Sequence, residues 1–242
     1  MWSKLTSRVS SGTIDHLLTR AEGEINAPDS KEAVKWAKRF FFEGENADNN
    51  LDLLKLIHLD LWPEISSIVN FKEPIIDHAS LLIKSPGGEA TRMHQDSAYW
   101  EGREISPSIF SVWIALEQMT REKGGLNLLK QNEVPANRMF DFNKGSTYEH
   151  ETLTDTEESG GFPILIKPEI QSELCRSMKL IDLQRGEAVA FDSYEPHMTE
   201  KNTSETPRLA MKIAYADGGQ KTDNKTFLIK VRKLENLNQD ET

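Results

Sequence analysis

The hydrophobic period of this chain changes once, near residue 78, and that change limits the folds open to it. Before it, apolar residues recur at helical spacing. Ile14, Leu17, Leu18 and Ala21 share one face, with Thr13 placed to cap the helix. Ala33, Val34, Ala37, Phe40 and Phe41 share another behind a cap at Ser30. Leu51, Leu54, Ile57, His58, Leu61 and Ile65 continue the pattern, which Pro63 is expected to interrupt. After the change the runs are short and alternate. Ala79–Lys84 precedes the turn at Pro86-Gly87-Gly88. Ser111–Leu116 puts Val112, Ile114 and Leu116 on one side and Ser111, Trp113 and Ala115 on the other. Leu126–Leu129 follows Gly124-Gly125, and Arg185-Gly186 turns into Glu187–Phe191. In Arg208–Ala216, Leu209, Met211, Ile213 and Tyr215 oppose Arg208, Ala210, Lys212 and Ala214. Phe227–Val231 reads as a last strand.

Helices first and short strands after predict one α+β domain over residues 1–242, with a mainly helical flank (1–75) and a strand core (78–232) forming a sandwich or barrel. The polar stretch Asn132–Pro163 is long for a connection, so it is either a lid over a site or disordered.

The net charge of −10 argues against nucleic acid or an anionic membrane as partner, and is compatible with a cationic one. Cys175 is the only cysteine, which removes internal disulfides and cysteine-built zinc sites. Met1–Arg20 has no apolar segment of signal-peptide type, and no run approaches the roughly 18 apolar residues that span a membrane. A cytoplasmic protein is the expectation.

Against this background one constellation stands out: His94-Gln95-Asp96, then His197, then Arg208 eleven residues on. Two imidazoles and a carboxylate can occupy one face of a six-coordinate ferrous ion and leave the other face open. A nearby arginine offers a planar fork for the carboxylate of an organic co-substrate. A second H-x-D triplet, His58-Leu59-Asp60, serves as a control. It lies in a helical pattern, where residues two apart project about 200° apart and cannot grip one ion. His94 and Asp96 follow a glycine-rich turn, and in extended chain residues two apart share a face.

Five stretches, in order, resemble the phytanoyl-CoA dioxygenase family of Fe(II)/2-oxoglutarate-dependent oxygenases. They are Met93–Trp100, Val112–Leu116, Glu122–Leu126, Arg185–Phe191, and His197–Ser204 with Pro207-Arg208. Leu129–Val134 departs from the family, many members of which carry Pro-Gly-Ser-His there. The resemblance implies a double-stranded β-helix (jelly-roll, cupin-like) core with flanking helices, mostly N-terminal. It implies iron at His94, Asp96 and His197. It implies 2-oxoglutarate held by Arg208, with Thr199 and Trp113 alongside, O₂ as second co-substrate, and succinate and CO₂ as products. The expected activity is hydroxylation or a related oxidation of an unactivated C–H bond in a small metabolite, as in specialised-metabolite biosynthesis. Candidate substrate contacts are Tyr99, Trp100, Asp77 and Arg103, for a polar or cationic small molecule. Two other readings remain open: a non-catalytic β-helix binding or sensor module, and a zinc hydrolase using the same histidines and aspartate, which leaves Arg208 without a role.

Overall fold

The computed structural model describes residues 1–26, 38–41, 50–99, 109–141, 147–154, 162–217 and 229–230. Its strands in chain order are β1 (Trp2–Arg8), β2 (Lys38–Phe41), β3 (Pro74–Lys84), β4 (Thr91–His94), β5 (Ile109–Ala115) and β6 (Leu126–Leu129). They continue with β7 (His150–Thr152), β8 (Ile164–Ile166), β9 (Met178–Leu180), β10 (Glu187–Asp192), β11 (His197–Thr199), β12 (Arg208–Asp217) and β13 (Ile229–Lys230). A large sheet runs β1-β10-β5-β12-β3-β13, with β2 also paired to β3. A smaller sheet runs β4-β11-β6-β9, and β7 pairs with β8. The pairings are antiparallel, and the two facing sheets form a jelly roll of the cupin-like double-stranded β-helix type.

Alternation along the large sheet sends its residues to two different interiors. One face carries Ala79, Leu81, Ile83, Val112, Ile114, Ala188, Ala190, Met211, Ile213 and Tyr215. It packs against the helices Ser11–Arg20 and Leu51–Ile68 through Ile14, Leu17, Leu53, Leu54, Ile57, Leu61 and Ile65. The other face looks into the roll, where Trp113, Ala115, Val189, Phe191 and Ala210 meet Leu126 and Leu128 of the small sheet.

Four local expectations are corrected. The first helix is capped by Ser10, whose Oγ accepts from the Thr13 amide, not by Thr13 itself. The helix Leu51–Ile68 runs through Pro63 without a break. Pro63 is exposed, so its missing N–H falls on the solvent side while Leu61, Ile65 and Ile68 stay packed. Phe40 and Phe41 lie on β2, where their backbones pair with Leu81 and Ser80; the start of the expected helix, residues 30–37, lies outside the described residues. The helical flank also holds β1, an edge strand that buries Trp2 inside the roll and Leu5 on the helix side and exposes charged Lys4 and Arg8. Of the expected strand Phe227–Val231, Ile229 and Lys230 are described, paired with β3. No helix among the described residues is long and apolar enough to cross a membrane.

Candidate active site

The small sheet brings the two histidines together. His197 opens β11 directly opposite His94, the last residue of β4, and their ring centroids lie 4.2 Å apart. Asp96 then begins a 3₁₀ turn, Asp96–Tyr99. The extended geometry expected for the His94–Asp96 pair is therefore replaced by a strand end followed by a turn. The turn serves the same end: Asp96 Oδ1 lies 3.7 Å from His197 Nε2, and one ligand atom from each of the three residues falls within 4.8 Å of the others. Gln95 points away, donating to the Tyr194 carbonyl and accepting from the Tyr148 amide.

Backbone carbonyls set the imidazole tautomers. Nδ1 of His94 lies 2.9 Å from the Arg92 carbonyl, and Nδ1 of His197 lies 2.9 Å from that of Glu195. A carbonyl only accepts, so each Nδ1 carries the hydrogen and each Nε2 keeps its lone pair for a metal. Burial holds both imidazoles below their usual pKa, with His197 adding to the effect on His94. Burial alone would raise the Asp96 pKa, but the Lys212 ammonium and the two imidazoles hold it well below the carboxylate range. Asp96 Oδ2 accepts from Lys212 Nζ at 2.5 Å and from Ser111 Oγ at 2.9 Å, which leaves Oδ1 turned toward the histidines.

Beyond this cluster, Arg208 is almost fully buried, with its guanidinium 5.4 Å from the Trp113 ring. Its Nε and Nη1 have no hydrogen-bond partner among the described residues. Two orphaned donors on a buried cation are costly unless an anion completes them. Burial draws its pKa to about 10, against the opposing pull of Glu117, so it stays charged at neutral pH.

A cavity of about 200 Å³ joins these parts; it is lined by His94, Asp96, His197, Trp113, Thr199 and Arg208, and further by Lys212. Two loop constraints place Arg208 here. Asn202 donates to the carbonyls of Lys84, Ser85 and Thr206 and so closes the turn that leads into β12. Gly124, at φ +72°, lets the neighbouring loop approach: a Cβ there would lie 2.5 Å from the Glu200 carbonyl.

Of the candidate substrate contacts, Tyr99 lines the cavity and exchanges hydrogen bonds with the backbone of Ile164, at 2.9 and 3.1 Å. Asp77 sits behind the wall, with Oδ2 2.9 Å from Nδ1 of His78, and His78 is the residue that faces the cavity. Trp100 and Arg103 lie outside the described residues.

Sequence reasoning missed Lys84, Lys212, Ser111, His78 and Phe162. Lys212 and Ser111 were legible as polar members of Arg208's and Trp113's faces. Phe162 was not: it is the next-to-last residue of the long polar stretch, and its ring lies 4.4 Å from that of His94. That stretch also contains β7, while residues 142–146 and 155–161 of it lie outside the described residues.

Solved structures share this architecture. The non-heme alpha ketoglutarate dependent epimerase SnoN from nogalamycin biosynthesis, in complex with Fe3+, alpha ketoglutarate and nogalamycin RO, superposes with a TM-score of 0.60 at 13% identity, over 89% of this chain and 78% of that one. EvdO2 from Micromonospora carbonacea var. aurantiaca, complexed with 2-oxoglutarate, gives 0.59 at 17% identity over 95% and 88%. EctD from S. alaskensis, with 2-oxoglutarate and 5-hydroxyectoine, gives 0.57 at 15% identity over 92% and 74%. No curated protein matches by sequence. The shared fold defines the class, a double-stranded β-helix. The sequence profile of phytanoyl-CoA dioxygenase matches residues 13–210, and the chain belongs to that family. Membership makes it an enzyme of the 2-oxoglutarate-dependent oxygenase class.

Proposed function

We propose that this protein is an Fe(II)- and 2-oxoglutarate-dependent dioxygenase that oxidises an unactivated C–H bond of a small organic molecule, releasing succinate and CO₂. One observation carries the reading: a His–Asp–His donor set and a buried guanidinium with two orphaned donors open onto one cavity. The donor set suits a ferrous ion with an open face, and the guanidinium suits one end of a dicarboxylate. When bound, the metal and its co-substrate supply the activation of O₂; the protein supplies ligation, orientation and dryness.

In this reading His94 and His197 ligate through Nε2. Asp96 ligates through Oδ1, because Lys212 and Ser111 hold its other oxygen. Arg208 receives the distal carboxylate of 2-oxoglutarate against the face of Trp113, with Thr199 beside it. Phe162, Phe191 and Met198 give the remaining wall an apolar surface that excludes water. Among the described residues the wall carries no carboxylate besides Asp96, so a cation finds no counter-charge there. His78 and Ser80 offer hydrogen bonds instead. We therefore favour a neutral polar substrate over a cationic one, and a role in the making of specialised metabolites.

The test is succinate formation from 2-oxoglutarate by Fe(II)-loaded protein, with metal analysis alongside. Turnover in the wild type that vanishes in Asp96→Ala supports the reading. Full turnover in Asp96→Ala, or a protein that takes zinc and ignores 2-oxoglutarate, contradicts it.

A further inference from the structure

Resting on that reading, we propose that Lys84 is a positioning residue for the co-substrate: it fixes the Thr199 hydroxyl so that its hydrogen points at the carboxylate held by Arg208. Lys84 is buried on β3, directly across from Arg208 on β12. It is not in the cavity wall, whereas Thr199 and Arg208 are. Its Nζ lies 2.7 Å from Thr199 Oγ1 and 2.7 Å from the Glu200 carbonyl. The Thr91 amide also donates to Thr199 Oγ1, at 3.3 Å.

A hydroxyl oxygen accepts through two lone pairs and donates one hydrogen. Lys84 and Thr91 together fill both acceptor positions on Thr199. The remaining direction belongs to the Thr199 hydrogen, and Thr199 faces the cavity that holds the orphaned Nε and Nη1 of Arg208. The assignment requires Lys84 to donate rather than accept. An ammonium has no lone pair and can only donate.

The surroundings favour that form once an anion is present. Neither oxygen that Lys84 contacts belongs to a carboxylate. The nearest acids are engaged elsewhere, Glu200 with Arg121 and Glu89 with Lys201. Burial, with Arg208 adding to it, pulls the Lys84 pKa to about 6 in the metal-free protein. A carboxylate arriving beside two buried cations raises it again and restores the ammonium. The lysine stem is also built into the fold: its Cδ would lie 3.2 Å from a Cβ at Gly124.

The experiment is a double-mutant cycle on 2-oxoglutarate affinity. 2-Oxoglutarate is titrated anaerobically into Fe(II)-loaded protein, following the visible charge-transfer band, for wild type, Lys84→Met, Thr199→Val and the double variant. Melting of the metal-free proteins is recorded in parallel. Each single change is expected to weaken binding about tenfold, the scale of one hydrogen bond to a charged group. The double variant is expected to be no weaker than Thr199→Val alone. Lys84→Gln, which keeps a donor, is expected to recover part of the affinity. Melting is expected to hold or rise in Lys84→Met, since an apolar replacement removes a buried amine whose desolvation is unfavourable.

Three results overturn the proposal. Unchanged affinity in both lysine variants removes the role. An equal further loss in the Thr199→Val background shows that Lys84 acts through space, not through the hydroxyl. A loss of affinity matched by a collapse of melting in both lysine variants makes the residue merely structural. Absence of any band in the wild type defeats the dioxygenase reading itself, and is distinguishable because it does not depend on Lys84.

Discussion

The large sheet has two buried faces made of different chemistry. The face toward the helices is apolar where the central strands meet them: Leu81 and Ile83 on β3, Val112 and Ile114 on β5, Met211, Ile213 and Tyr215 on β12. The face inside the roll mixes Trp113 and Ala210 with His78, Lys84, Ser111, Arg208 and Lys212. Both faces exclude water, yet only the first is a core in the energetic sense. The second gives up apolar burial for cations and hydroxyls whose desolvation is offset by paired groups and, at Arg208 in the proposed function, by the co-substrate. On adjacent residues of one strand, the molecule separates what holds it together from what it does.

That separation is broken most severely at the proposed metal donors. His197→Ala is expected to remove 2-oxoglutarate turnover altogether while the fold remains, as read by succinate formation and circular dichroism. Retained turnover would detach the inner face from function. On the other side of the sheet, Met211→Ala should cost about 2–5 kcal/mol in denaturant unfolding, the usual range for a buried large-to-small change. Below its melting temperature that variant should keep its turnover. A loss of turnover without a loss of stability would show that the faces are not separate.

The helix side has its own polar exception. His58 on the helix Leu51–Ile68 is buried against Trp62 and Tyr215, and burial lowers its pKa to about 4. The folded state therefore binds a proton less readily than the unfolded chain between about pH 6.5 and about pH 4. Stability should fall as the pH drops through that window, by up to roughly 3 kcal/mol from this group. His58→Phe should flatten that part of the stability–pH curve. An unchanged slope would assign the loss to other groups. The smallest effect sharpens the comparison from within: Trp113→Phe weakens a cation–π contact with Arg208 and should raise KM for 2-oxoglutarate about fivefold, with little change in kcat. A fall in kcat at constant KM would give Trp113 a different role.

The alternation of Arg208–Ala216 and Ser111–Leu116 let the sequence predict both sheet faces, because the sheet period is two whatever packs against it. It did not say which face met helices and which met the second sheet, since both are buried. The clustering of His94, Asp96 and His197 was legible because these residue types are rare in combination and ordered along the chain. The geometry joining His94 to Asp96 was not, because a 3₁₀ turn brings side chains together as well as a strand does. Lys84 and Phe162 were invisible for a further reason. Their roles come from cross-strand register and loop return, Arg208 against Lys84 and Phe162 against His94, which no local pattern encodes. β1 and β2 were lost in the helical flank because edge strands carry weak patterns and borrow their stability from neighbours.

The most direct test compares three proteins under anaerobic Fe(II) and 2-oxoglutarate: wild type, the outer-face variant Met211→Ala, and the inner-face variant Arg208→Ala. The visible charge-transfer band should form in the first two, at a temperature where both are folded, and weaken sharply in the third. A band of equal strength in Arg208→Ala, or its absence from the wild type, would contradict the assignment of the inner face to metal and co-substrate.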